Sequence, residues 1–154
     1  MPVSTAREAA VFGRDLDDAE RWVADWSASI SERAERAQRL AARVAGLAGS
    51  AESAGGLVEA RVDSGGVLVA LHLDDRLTGW PAARIEREIM IALRRAQATL
   101  TGRVAEAVAE TVGADTETGR AVLDGYDRRF PAPPPDDHPG GWPDGGTPGL
   151  RRDR

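Results

Sequence analysis

The chain has 154 residues, a net charge of -5 and no cysteine, and all 20 of its basic residues are arginine. This length allows one domain with tails, and the absence of cysteine excludes a disulfide framework and thiolate chemistry. The acidic balance argues against a simple nucleic-acid polycation. No apolar run approaches the roughly 18–20 residues that a membrane-spanning helix needs, so we expect a cytoplasmic protein without a membrane partner.

The first long helix is predicted to start at residue 17, after a flexible N-terminus over residues 1–16. Asp17-x-x-Glu20 resembles a capping box. Apolar residues then recur at steps of three and four, with Arg33 filling one position of the pattern. These residues are Val23, Trp26, Ile30, Ala37, Leu40, Val44 and Leu47. The pattern fits equally a helix packed inside its own subunit and a coiled coil within a dimer.

A β-hairpin follows the first helix. Val58, Ala60 and Val62 alternate with charged residues, which is typical of a half-buried strand. Ser64-Gly65-Gly66 suits a tight turn. The return strand, residues 67–73, is apolar on both faces, and so small a sheet cannot bury both faces alone. The glycine-rich stretch before the hairpin can hold a short edge strand.

We predict that the hairpin also forms the interface of a homodimer, because something outside the sheet must help to cover the return strand. A dimer would double every charged surface of the protomer. The predicted interface residues alternate along both strands and are Val58, Ala60, Val62, Val67, Val69 and Leu71.

Two further helices and a tail complete the chain. Pro81 suits the first position of a second long helix, which is predicted to run to about Val112. Asp115 can cap a third, shorter helix that ends near Arg129. In the last 24 residues, 12 are proline or glycine. We therefore predict a disordered tail over residues 131–154.

No motif in the sequence predicts catalysis, a cofactor or a metal site. His72 and His138 lie in different regions and cysteine is absent, so we expect no zinc site. Without lysine a P-loop cannot form. Asp74 and Asp75 are explained better by turn chemistry at the end of a strand than by acid–base catalysis. We therefore expect that the protein is not an enzyme.

Arginines cluster on one side of each long helix. On the second helix, four of them fall in a sector roughly 100° wide, opposite the apolar stripe and without an acid inside it. These four are Arg84, Arg87, Arg94 and Arg95. The cluster on the first helix comprises Arg36, Arg39 and Arg43. Such faces can contact DNA phosphates, although a solvated face of an arginine-rich protein is the simpler interpretation on residue chemistry alone.

The order of the elements carries a further signal. A long helix, a glycine-rich segment, two strands with a tight turn and a long Ala/Arg helix follow one another over roughly residues 20–112. The matching residues are Gly56-Leu57-Val58 at the start of one strand, Gly66 in the turn, and Val69 to Leu73 running into Asp74 and Leu77. This arrangement resembles the YbaB/EbfC family of bacterial nucleoid-associated proteins. The chain departs from the family pattern in its third helix, its tail, Asp75 in place of a proline, and its tryptophans Trp22 and Trp26.

The resemblance implies an α+β fold in which two long helices flank a small antiparallel sheet (α-β-β-β-α). We place this fold, with the added short C-terminal helix, in a domain over residues 17–130, followed by the disordered tail. The resemblance also implies a homodimer with paired sheets and protruding helices. Its implied partner is double-stranded DNA of the nucleoid, bound weakly and with little sequence specificity. The alternative is a non-enzymatic dimeric adaptor of the same fold that binds a protein partner through Trp22 and Trp26 or through the tail.

Overall fold

The computed structural model describes residues 3–132, with side chains from Arg7 onward. The rest of the predicted tail lies outside the described residues. The fold is α+β, as predicted. Its elements in chain order are α1 (Val3–Ala45), β1 (Gly49–Ser53), β2 (Val58–Val62), β3 (Leu68–Leu73), α2 (Ala82–Thr111) and α3 (Glu117–Arg129). None of the helices in residues 3–132 combines the length and the apolar composition that a membrane span requires.

The three strands form one antiparallel sheet in the order β1-β2-β3. On β2, Val58, Ala60 and Val62 point to the same face and are fully buried, as the alternation of apolar and charged residues predicts. Helix α2 lies across this face and packs on β1 and β2. Its buried residues include Ala96, Leu100 and Val104. The core therefore lies between one face of the sheet and one side of α2.

A glycine at the start of β1 lets α2 approach the sheet closely. A Cβ at Gly49 would collide with the carbonyl oxygen of Ala96 in α2. At the other end of the strand, the hydroxyl of Ser53 donates a 2.6 Å hydrogen bond to the carbonyl of Glu88. Both ends of β1 are thus fixed to α2, which explains how a strand of small and polar residues becomes ordered.

Helix α3 packs on the turn between β2 and β3. The hydroxyl of Tyr126 donates a 2.7 Å hydrogen bond to the carbonyl of Ser64. Arg129 donates to the next carbonyl of the turn at 2.8 Å. Gly66, with a φ of 77°, lies under the ring of Phe130, where a Cβ would collide with the ring. These contacts connect the C-terminal helix to the hairpin.

Two helix starts differ from those predicted. Asp17 lies inside α1, which begins at Val3, so the prediction of a capping box at Asp17 is wrong. Alanine-rich sequence on both sides of residue 17 favours helix without a cap there. Helix α3 is capped by Thr116, whose hydroxyl accepts from the backbone N–H of Gly119 at 3.1 Å, and not by Asp115. The domain boundaries at residues 16 and 130 stay predictions.

Candidate nucleic-acid interface

The four predicted arginines of the second helix lie on one exposed side of α2. They extend over roughly 16 Å of the helix axis, at 1.5 Å per residue. The side of α2 that packs on the sheet is the opposite one. We call the set Arg84, Arg87, Arg94 and Arg95 the α2 arginine face.

Local contacts hold two members of the α2 arginine face in place without neutralising them. The guanidinium carbon of Arg84 lies 3.6 Å from the centroid of the Trp80 ring. The N–H groups of a guanidinium stacked on a ring lie in a plane parallel to the ring, so they point outward and stay free to bind other groups. Arg95 donates a 3.2 Å hydrogen bond to the carbonyl of Glu52 in β1. In the described part of the chain, no arginine of this face forms an ion pair.

The arginine cluster of the first helix has a different environment. Arg36 and Arg39 each pair with the glutamate four residues earlier, at 3.9 and 3.6 Å. Arg43 pairs with Glu110 of α2. Each of these cations therefore already has an acidic partner, and Arg43 joins the two long helices. The structure thus separates the two predicted clusters by their charge environment. Helical spacing already places Glu32 and Glu35 beside Arg36 and Arg39, whereas the pair between Arg43 and Glu110 is visible only in the fold.

Strand β3 is an edge of the sheet that α2 does not cover. It pairs with β2 along one edge, and all six of its residues are exposed. Leu71 and Leu73 lie opposite Ala60 and Val58 of β2, so they point to the same side as α2. Both are nevertheless about 40% exposed, because α2 packs mainly on β1 and β2.

The six predicted interface residues fall into two groups in the structure. Val58, Ala60 and Val62 are 0% exposed and belong to the core of the protomer. Val67, Val69 and Leu71 are 62%, 56% and 40% exposed, at the free edge. Alternation with period two marks a buried face but does not tell which element covers it. The prediction also omits two exposed leucines of the same strand, Leu68 and Leu73.

The acidic pair at the end of β3 serves a turn. Asp74 accepts hydrogen bonds from the backbone N–H of Arg76 at 2.9 Å and from its side chain at 3.0 Å. The hydrogen bond from the Arg76 side chain lowers the pKa of Asp74 below its usual value and raises the pKa of Arg76. This is the turn chemistry that the sequence predicted. Among the described residues, no group of three histidine, aspartate or glutamate side chains could hold a metal ion.

A model of the YbaB/EbfC DNA-binding family matches residues 22–115, more than half of the chain. The chain belongs to the YbaB/EbfC DNA-binding family. This confirms the resemblance and assigns the protein to a DNA-binding, nucleoid-associated class, which is not an enzyme class. None of the curated proteins compared with the chain matches it. The YbaB/EbfC match includes the sheet and the α2 arginine face, whereas α3 and the start of α1 lie outside it.

Proposed function

We propose that this YbaB/EbfC protein is a homodimer that binds double-stranded DNA through phosphate contacts, with little sequence specificity. The observation that carries the proposal is the α2 arginine face, four exposed cations that no acid pairs with in the described residues. Cations that bind phosphates release condensed counterions, a gain that does not depend on base sequence.

Arginine suits this role because its planar guanidinium can bind a phosphate with two N–H groups at once. Stacking on Trp80 limits the freedom of Arg84 before DNA arrives, so less side-chain entropy is lost on binding. Contacts to phosphates fix the position of a protein on the duplex without reading the bases. Low sequence specificity therefore follows from the chemistry of this face.

The free edge of β3 supports the homodimer. An edge strand presents unpaired N–H and C=O groups to which another strand can add. A second copy related by a twofold axis would extend the sheet through its own β3 and cover the exposed side chains. We assign Val67, Val69 and Leu71 to this contact, together with Leu73 of the same strand. The buried residues of β2 would contribute only by supporting β3 from within the protomer.

The overall charge limits the strength of binding. Each chain carries a net charge of -5, so long-range attraction to DNA is poor. Only local contacts can then provide affinity, and we expect dissociation constants on the order of micromolar at physiological salt. A dimer presents two arginine faces, so DNA that reaches both would be bound more tightly than DNA that reaches one.

The proposal is tested by changing Arg84, Arg87, Arg94 and Arg95 together to Gln. We expect weaker binding to a labelled duplex, measured by fluorescence anisotropy at several salt concentrations. The slope of log affinity against log salt should become shallower by about one unit for each phosphate contact that is lost. Circular dichroism checks that the variant keeps its helix content.

A matched control changes four arginines that already have acidic partners, namely Arg36, Arg39, Arg43 and Arg76. Both variants lose four positive charges, so an effect of net charge alone would weaken them equally. We expect the control to keep a salt slope close to that of the original protein. Equal losses in both variants would contradict the assignment of the α2 arginine face.

A protein-binding adaptor is the second candidate function, and one observation favours it. Trp22 and Trp26 are both largely exposed, and their rings stack with centroids 6.3 Å apart. Exposed aromatic pairs of this kind are typical of protein-binding surfaces. If the original protein does not bind duplex DNA even at low salt, the DNA proposal fails and the adaptor is favoured.

A further inference from the structure

We propose that the N-terminal half of α1 is a self-association site, at which α1 of a second copy packs in antiparallel orientation. This contact is separate from the β3 edge and from the α2 arginine face. Its residues occupy one stripe of the helix at steps of three and four. The stripe, here called the α1 seam, consists of Phe12, Leu16, Ala19, Val23, Trp26 and Ile30.

The α1 seam has no partner within the described residues. Every residue from Arg7 to Ala28 is exposed, so roughly 30 Å of helix projects from the body. Phe12, Leu16 and Trp26 are 69%, 64% and 57% exposed. A stripe of large apolar side chains along a projecting helix is typical of a protein–protein contact.

The second half of the same stripe shows what kind of partner fits. The spacing of the α1 seam continues through Arg33 to Ala37, Leu40, Val44 and Leu47. These four residues are buried or half-buried, and α1 packs against α2 over the three that lie within the helix, which ends at Ala45. One continuous heptad pattern thus meets a helix along its C-terminal half. The same spacing along the N-terminal half indicates that its partner is also a helix.

A second α1 fills that place when the two helices run antiparallel. In one register, Phe12 faces Ile30 of the second copy, Leu16 faces Trp26, and Ala19 faces Val23. By symmetry each of these pairs occurs twice, so every residue of the α1 seam meets an apolar partner. A sequence that is complementary to itself in this way fits a twofold contact between identical chains.

The same register matches the length of the projecting helix. Val3, where α1 begins, would lie opposite Arg39 of the second copy. Leu40, the residue after Arg39, is only 4% exposed because it enters the core of its own protomer. The paired segment therefore ends where the body of the second copy begins, and the two bodies lie at opposite ends of the paired helices.

Charges favour the antiparallel arrangement over a parallel one. In a parallel, in-register pair, Arg33 would face its own copy at the heptad position that follows the seam, and Asp15 would lie beside Glu20 of the other chain. In the antiparallel register, Arg33 faces the small Ala9. One like-charged contact remains, between the two copies of Glu20 at the edge of the seam.

The first test compares a seam variant with a control on the outer side of the same helix. Leu16→Glu with Val23→Glu places two charges in the seam, and Ala24→Glu with Ala28→Glu places two charges outside it. The seam variant and the control are each prepared in the full chain, once alone and once combined with Leu71→Asp. The added Leu71→Asp is designed to disrupt the separate β3 contact. Sedimentation is measured at rising protein concentration, with helix content checked by circular dichroism.

On the Leu71→Asp background we expect the control to keep a mass roughly twice that of the seam variant, as a twofold contact requires. Equal masses on that background would overturn the proposal and leave the β3 dimer untouched. The proposal would also be overturned if the chain that carries only Leu71→Asp, with its α1 seam intact, were monomeric.

The second test determines the orientation, and the absence of natural cysteine makes it simple. Leu16→Cys is mixed with a tagged chain that carries Trp26→Cys, and the mixture is oxidised gently. Antiparallel packing predicts disulfides mainly between the two variants, because only facing residues come within reach of a disulfide. Disulfides mainly between identical variants would show parallel packing and overturn the proposed orientation.

Discussion

Gly49 is the residue on which the close packing of α2 against β1 depends. A Cβ there would meet the backbone of Ala96 and Leu100, which cannot move as a side chain can. We expect Gly49→Ala to lower the free energy of unfolding by about 1–3 kcal/mol, as overpacking of a core does. Denaturant unfolding followed by circular dichroism measures this change.

A nearby glycine provides the comparison for Gly49. At Gly46 the nearest atom to an added Cβ is 3.7 Å away, an ordinary contact. Gly46→Ala should therefore change stability little, because alanine there meets no close neighbour. If both variants lose the same stability, the close approach at Gly49 is not the cause.

Several contacts of individual residues could not be predicted from the sequence, because they join residues that are far apart along the chain. In the sequence, Gly49 is one of several glycines in the stretch before the hairpin, and nothing there shows where α2 will lie. The ion pair between Arg43 and Glu110 joins two helices and follows no local spacing rule. Thr116 and Asp115 are both good helix caps by residue type, and only the hydrogen bond to Gly119 decides between them.

Helix α3 is an element that the family match does not include, yet it contacts the hairpin turn. We expect truncation after Asp115 to lower the melting temperature by about 10 °C, because the turn loses two hydrogen bonds and the cover of Phe130. Truncation after Phe130 should change it by no more than about 3 °C, since it removes only the tail. Thermal unfolding at equal protein concentration compares the two. A large loss from the shorter truncation alone would show that the tail packs on the domain.

The spacing of apolar residues predicted which segments form helices and strands, but it did not predict which elements pack against one another. The hairpin, the edge strand β1 and all three helices follow from apolar spacing and turn residues. The apolar spacing of α1 fits both packing inside the protomer and pairing between subunits. In the structure its second half packs on α2 and its first half is exposed. A heptad pattern indicates that the apolar stripe packs against a partner helix, but it does not indicate whether that helix belongs to the same chain or to a second one.

At the scale of the whole molecule, the exposed side of β3 predicts assembly. The protomer leaves Leu68, Leu71 and Leu73 each about 40% exposed on the side of the sheet that α2 covers elsewhere. Burial of these side chains by a second copy would provide the apolar contact that a stable dimer needs. With α1 pairing at a second twofold contact, copies could join into extended assemblies that hold several arginine faces along DNA.

Leu71→Asp tests the β3 contact directly. The side chain is partly exposed in the protomer, so the charge should leave the protomer folded, whereas at a dimer contact it would be buried without a partner. We expect the β3 dimer to dissociate, with the α1 seam also disrupted so that only this contact is measured. The matched control is Ala70→Asp, which lies on the opposite face beside Arg61 and should remain dimeric. Sedimentation equilibrium measures the mass and circular dichroism the fold. A variant with Leu71→Asp that stays dimeric would show that β3 is not the contact, and the exposed leucines would then need another partner.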